Sequence, residues 1–410
     1  MTPKQAKDNI KIAFGSVPKD GGTFTFYRNI RPNLEKHNIT MYCVAVGKEQ
    51  ELLWEESYAD NNCVLLASNT YNVKKQSKAF VNWCIKMDIN IVMGINSEAI
   101  LSAIPHLPRN IKVVSRCANS FDHGYRITMS GKERLEAIFA ITPRLQFDLI
   151  EKYDANPLIT HLIPNGINPY PFEEASKVKR GEQKVLQLGF LGRLEHNQKG
   201  IFHLPDLVQN LDHLNVSFHL TIAGKGADGI KLKKYLQKWV DQKRVSFVGA
   251  LSPKEVPEFF KNIDLYIFPS HFEGCPNSLL EAMMSGCVPL SWNINGITDY
   301  IINEGQTGFL HKTGDSESMA LNISKLDNDR KSLNNISKNA AKDVRIRFNT
   351  ELAAESYATI FRQVFSKPHL AVNPLSWKKF KSDINFKQKG DPWLPRGIKK
   401  KLKKIFFSRK

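Results

Sequence analysis

Two carboxylates and two cations, far apart along the chain, carry the chemistry legible in this sequence. Glu273 and Glu281 stand eight residues apart in the stretch 267–289, IFPSHFEGCPNSLLEAMMSGCVP. An apolar run at 265–268 predicts a buried strand. Pro269, Gly274 and Pro276 predict a turn, and residues 278–285 predict a helix closed by Gly286. Leu279, Leu280, Ala282, Met283 and Met284 make that helix apolar nearly all round, the pattern of a buried helix. Glu281 in its middle therefore needs donors, because a buried carboxylate without partners is costly. The helix start leaves backbone N–H groups free at Asn277, Ser278 and Leu279, an anion site. Glu273 lies on the loop facing it. Carboxylates on either side of an anion site suit a ligand with phosphate in the middle and hydroxyls at both ends. A nucleotide sugar has that layout.

The cations are Arg193 and Lys199, in the loop GRLEHNQKG that follows an apolar run at 185–191. Both can converge on one phosphate pair, and Arg can chelate it with two N–H groups. Near the N-terminus Gly21-Gly22 follows a first predicted strand at 9–14, where a ligand can approach the backbone closely; an ordinary turn gives the same pattern. The loop 116–126, RCANSFDHGYR, leaves a strand predicted at 111–115. It offers Asn119, Asp122, His123, Tyr125 and Arg126 to an acceptor, or simply to solvent.

The elements that must position these residues alternate strand and helix. Strands are predicted at 9–14, 42–46, 63–66, 89–94, 111–115 and 138–142, then again at 185–191, 218–223, 245–249 and 265–268. Helices are predicted at 24–37, 73–87, 143–152, 231–239, 252–262 with Ser252 as cap, and 351–365. The βαβ opening is the start of a doubly wound sheet, whose ligands bind beyond the carboxyl ends of the strands. At 410 residues two domains are expected. The polar stretch 173–184 reads as the linker, between a first domain at 1–172 and a second at 185–350. A closing helix at 351–366 and a tail at 367–410 follow.

The net charge of +18 points to an anionic partner, but residues 376–410 hold thirteen Lys and Arg against Asp383 and Asp391. Ile398, Leu402, Ile405 and Phe406 recur at helical spacing among the lysines, the pattern of a basic helix on an anionic lipid surface. A solvated tail and nonspecific attraction to nucleic acid are the alternatives. Because the excess sits in the tail rather than on an aromatic platform, specific nucleic-acid binding is not expected. The six cysteines lack metal-ligand spacing and read as reduced thiols. No apolar run is long enough to span a bilayer and the first nine residues are polar, so a cytoplasmic chain is expected, peripheral on the inner membrane face.

Four motifs in order resemble the GT-B retaining glycosyltransferases called family four: Pro164-Asn165-Gly166, Gly192-Arg193-Leu194 with Lys199-Gly200, Phe247-Val248-Gly249, and Glu273…Glu281. The resemblance runs over about residues 9–366. It implies two Rossmann-like doubly wound domains facing across a cleft, an acceptor domain first and a donor domain second. It also implies that Arg193, Lys199 and the N–H groups at 277–279 bind the donor diphosphate. Glu281 would take the ribose, Glu273 the transferred sugar, the backbone around Gly249 the base, and Gly21-Gly22 a phosphate or the acceptor. Relatives place a histidine after the strand at 113–115; here His123, Asn119 and Arg116 are the candidates. Asp299 stands where relatives carry glutamate. The implied reaction moves a sugar, with retention, from a nucleotide sugar (UDP on frequency) to a glycan or lipid-linked glycan of bacterial surface polysaccharide or lipopolysaccharide. No metal or other cofactor is implied. The competing readings are a non-catalytic nucleotide-sugar or glycan-binding module and an epimerase or phosphorylase on the same fold.

Overall fold

A computed structural model describes residues 9–386, apart from 20, 95 and 370–372. A first sheet holds β1 (Ile10–Gly15), β2 (Ile39–Val46), β3 (Cys63–Leu66), β4 (Ile91–Gly94), β5 (Lys112–Cys117), β6 (Leu135–Ala140) and β7 (Thr160–Leu162), in the order β3-β2-β1-β4-β5-β6-β7. A second holds β8 (Leu186–Leu191), β9 (Phe218–Ala223), β10 (Val245–Gly249), β11 (Leu265–Phe268), β12 (Val288–Trp292) and β13 (Phe309–His311), in the order β10-β9-β8-β11-β12-β13. All pairings of these strands are parallel. Strands such as β11, buried on every residue, read as continuous apolar runs because both sheet faces are covered.

Strand order reverses between β1 and β4 in one sheet and between β8 and β11 in the other. Loops leaving the carboxyl ends diverge at such points and open a crevice. The loops after β1 (Gly21-Gly22), β5 (Ala118-Asn119), β8 (Arg193) and β11 (Glu273) all line one cleft between the sheets. Six helices matter for it: α1 (Gly22–Glu35), α2 (Asp122–Thr128), α3 (His196–Lys199), α4 (His203–His213), α5 (Asn277–Met284) and α6 (Thr350–Ser366).

The chain crosses between the halves twice. Residues 173–184, read as a polar linker, contain the short helix Glu173–Lys177 and a buried cation. Arg180 donates to the carbonyls of Lys261, Ala175 and Ser285, and Asp264 accepts the Gly181 N–H at 2.8 Å, which ties the segment to the second sheet. The return crossing ends in α6, whose Ala354, Tyr357, Ala358 and Phe361 lie on one face and join Phe14, Phe26 and Phe139 in the first-sheet core. At this crossing Gly166 packs against the Thr350 backbone; a Cβ there would sit 2.5 Å from Thr350 Cα.

Some expectations shift. The 231–239 helix is two pieces, Gly229–Tyr235 and Gln237–Asp241. Ser252 does not cap a helix; its N–H donates to the Glu255 carboxylate and the helix starts at Val256. Helices Ser316–Asn328 and Arg330–Arg347 occupy a stretch with no sequence expectation. Residues 373–386 lie across the first domain, with Trp377 stacked on His106 at 4.2 Å and Asp383 accepting from Ser130 at 3.0 Å. The expected basic amphipathic helix, with Ile398, Leu402, Ile405 and Phe406, lies outside the described residues. No helix among the described residues is long and apolar enough to cross a membrane.

Candidate active site

The cleft has a volume of about 440 Å³. Arg193, Lys199, Glu273, Glu281, Asn277, Ser278, Gly21 and Gly22 all line it, so the structure brings together the four charged groups and the glycine pair singled out above. Two helix N-termini open into it. Gly21 caps α1 with φ 143°, a conformation that L side chains rarely adopt, and nothing lies within 4 Å of where its Cβ would be. Pro276 caps α5. Neither helix has an acidic residue in its first turn, so each positive dipole end is left for an anion.

Lys199 ends α3, and Gly200 follows in the left-handed region at φ 60°. A Cβ on Gly200 would meet the Pro269 carbonyl oxygen at 1.8 Å, so only glycine lets this turn lie against the end of β11. That contact places Lys199 beside Glu273. The Lys199 Nζ donates to Glu273 Oε1 at 2.5 Å and lies 5.6 Å from the Phe268 ring centre. Both partners are largely buried, at 13% and 8% side-chain exposure, so each fixes the position of the other. Arg193 is exposed and held by Glu195 (2.7 Å) and Gln198.

Glu281 is half-buried, and among the described residues no protein donor bonds its carboxylate. Burial pushes it up to about 7, and the charge of Arg28 opposes that rise. Such a carboxylate has acceptor capacity left for ligand hydroxyls.

The second cluster was only half visible in the sequence. Arg116 is buried, with its guanidinium 3.8 Å from the Phe26 ring centre. It donates to Tyr357 Oη at 3.1 Å and to Asn165 Oδ1 at 2.5 Å. Its Nη1 has no hydrogen-bond partner. A cavity of about 10 Å³, room for about one water, adjoins it. Asn165 in turn donates to the Cys275 carbonyl and to Asn277 Oδ1 at 2.8 Å, so one amide couples the first domain to the start of α5. Gly274 makes the same junction close: its Cβ would lie 2.2 Å from the Ala118 carbonyl oxygen. Arg28, also lining the cleft, was missed; the signal available was Thr25 and Arg28 on one face of the helix after Gly21-Gly22.

Three of the residues singled out in the sequence are absent from the cleft lining. His123 lies outside the cleft lining, on α2, its ring edge-on to Phe386 at 5.7 Å; burial and Arg126 push its imidazole down from the ordinary value. The chain turns at 119–121, so Asn119 and Arg116 face the cleft and His123 faces the returning tail. The Gly249 carbonyl is taken by the Gly224 N–H at 2.7 Å, and Leu251, Pro253 and Val256 line the cleft instead. The Leu279 N–H bonds to the Pro276 carbonyl at 3.2 Å and its side chain is buried, which leaves Asn277 and Ser278 for an anion.

Residues 171–343 match the family model described as Glycosyl transferases group 1. The capsular polysaccharide biosynthesis glycosyltransferase CapM of Staphylococcus aureus is 31% identical over 204 residues, 48% of this chain and 52% of that protein. The chain spans about half the length of the first curated relatives it matches. The fold extends further. A glycosyltransferase from Rickettsia africae superposes with a TM-score of 0.72 at 17% identity, covering 88% of this chain and all of that one. Anabaena HepE, solved in complex with UDP and glucose, superposes with a TM-score of 0.68 at 18% identity, covering 86% of this chain and all of that one. The matched stretch thus forms the second half of a GT-B fold, and its Arg193, Lys199, Glu273 and Glu281 all line the cleft.

Proposed function

We propose that the chain is a retaining glycosyltransferase that moves a sugar from a nucleotide sugar, UDP-linked, to a glycan or lipid-linked glycan of bacterial surface polysaccharide. One observation carries it: Arg193, Lys199, Glu273, Glu281 and the start of α5 line a single cleft between two switch points. Arg193, Lys199 and the Asn277 and Ser278 N–H groups take the diphosphate. Glu281 accepts from the ribose hydroxyls and Glu273 from the sugar. The sugar C1–O bond to the β-phosphate breaks, and the acceptor oxygen bonds C1 from the same face. The acceptor proton passes to the departing phosphate oxygen. The charge that develops there meets cations and helix dipoles already in place, so this reading assigns no divalent metal and no enzymic nucleophile to the step.

The thirteen basic residues of 376–410 support an acceptor at an anionic membrane surface, and with it a place on the cytoplasmic face. The relation to CapM supports a surface-polysaccharide setting. The test is a panel of UDP- and GDP-sugars, with release of nucleoside diphosphate read with and without lipid-linked acceptors and the product anomer read by NMR. Acceptor-dependent UDP release with retention is expected. Absence of release from every donor, in protein that binds UDP, overturns the enzyme reading in favour of a binding module; an inverted product overturns retention.

A further inference from the structure

Outside the cleft lining, beside the loops that carry Lys199 and Glu273, three imidazoles meet. His196 opens α3, His203 opens α4, and His271 stands two residues before Glu273. Each offers a ligand atom, and the three atoms lie within 4.8 Å of one another. None of the three lines the cleft. All are half-buried, packed among Phe202, which stacks on His196 at 4.5 Å, and Trp292, which stands edge-on to His203 at 5.5 Å.

The hydrogen bonds fix where the lone pairs are. His271 Nδ1 faces the Asn197 carbonyl oxygen at 3.0 Å, so Nδ1 carries the proton and Nε2 the lone pair. His203 Nε2 lies 2.9 Å from that nitrogen and must donate to it. Two nitrogens are therefore held together by one proton. A metal ion can take its place if the His203 proton moves to Nδ1, which leaves the ring neutral and frees the Nε2 lone pair. A carbonyl on the far nitrogen is the usual support of a metal-bound histidine. The lone pair of His196 Nδ1 takes the Phe202 N–H at 3.1 Å and has to turn from it to reach an ion. Tetrahedral zinc with Zn–N of about 2.0–2.1 Å sets its nitrogens about 3.3 Å apart. The His203–His271 pair then opens by only about 0.4 Å from its 2.9 Å separation. Asp228 beside His196 and Asp206 beside His203 favour a cation, and Lys231 opposes it.

We propose that His196, His203 and His271 bind a zinc-class divalent transition metal, with a solvent molecule as the remaining ligand, and that this ion pins α3 to the loop carrying Glu273. Lys199 is three residues after His196 and Glu273 two after His271, so the ion holds both ends of the Lys199–Glu273 pair. The His271 N–H already bonds the Gln198 carbonyl at 2.8 Å along the same seam. The ion is a clamp and takes no part at the reacting sugar.

The test uses the full chain, free of any histidine tag and stripped with chelator. Zinc is titrated calorimetrically and Co²⁺ by visible absorption. About one equivalent of zinc, an intense tetrahedral Co²⁺ band without thiolate charge transfer, and a zinc-dependent rise in unfolding temperature are expected. His203→Gln and His271→Gln should each weaken zinc at least about tenfold. If the wild-type chain binds no zinc, or if its Co²⁺ spectrum shows octahedral or thiolate ligation, the site does not exist. Zinc binding that survives in a folded His203→Gln/His271→Gln double variant overturns it equally.

Discussion

Replacing Glu281 by glutamine should stabilise the unliganded protein and weaken donor binding at once. Burial raises this carboxyl from the ordinary 4.5 to about 7. Below pH 4.5 folded and unfolded chains both hold the proton. As the pH rises, the unfolded chain releases it first, and stability falls until the folded carboxyl has also ionised, near pH 7. At 1.36 kcal/mol per tenfold, the full difference is about 3 kcal/mol, an upper limit. Solvent reaches the half-buried group, so about 1–2 kcal/mol is expected to be realised. The glutamine variant carries no charge to desolvate. At pH 8 it should melt about 2–8 °C above the wild type, given about 2–4 °C per kcal/mol for domains of this size. At pH 4.5 the two should melt together. Binding should move the other way. Hydrogen bonds to a charged acceptor contribute about 1.5–3 kcal/mol, so UDP affinity at pH 8 should fall about tenfold or more. A 2′,3′-dideoxy analogue, which offers no ribose hydroxyl donors, should lose little. Thermal scans at both pH values and calorimetric titration with both nucleotides decide it. A variant no more stable at pH 8, with unchanged preference for UDP over the dideoxy analogue, would show that Glu281 is not waiting for ligand hydroxyls.

Other outcomes follow from the same geometry. Arg193→Ala should weaken UDP about tenfold or more while leaving uridine binding, measured side by side, nearly unchanged, since an exposed Arg contributes through the diphosphate alone. Gly200→Ala drives a Cβ to 1.8 Å from the Pro269 oxygen at positive φ, so lower melting temperature and lost UDP binding are expected together. Asn165→Ala strips Arg116 of an acceptor and leaves the Cys275 carbonyl without its donor; about 2–4 kcal/mol of destabilisation by urea unfolding is expected. Removing residues 387–410 should abolish flotation with anionic vesicles but leave UDP affinity intact, because the cleft lining comes from residues 21–281.

Local pattern carried the fold where each element announces itself. The apolar runs of β8 and β11, the glycines after them and the all-round apolar α5 each depend on near neighbours in the chain. The order of strands then follows from right-handed crossovers, and the two reversals put the loops after β1, β8 and β11 in one place. That is why Arg193, Lys199, Glu273 and Glu281 could be named from spacing, although the closest pair among them, Lys199 and Glu273, is 74 residues apart. What failed was the direction of individual groups. His123 sits in the loop that faces the cleft, yet a turn at 119–121 and the return of residues 373–386 take its ring away, and neither leaves a trace in the loop's own residues. Arg28 was hidden by periodicity, since a cation on a predicted helix reads as a solvated face. The histidine cluster was hidden by distance: His271 lies 68 residues beyond His203, a separation that matches no ligand spacing. All three cases share one cause. A strand or helix is specified by a periodic set of residues, so single exceptions are averaged out. A site is specified by single residues, whose meeting depends on crossings such as α6 that only the assembled sheets impose. The same crossing that buries Tyr357 in the first core brings its hydroxyl to Arg116, so the packing that stabilises the two-sheet arrangement also sets the floor of the cleft.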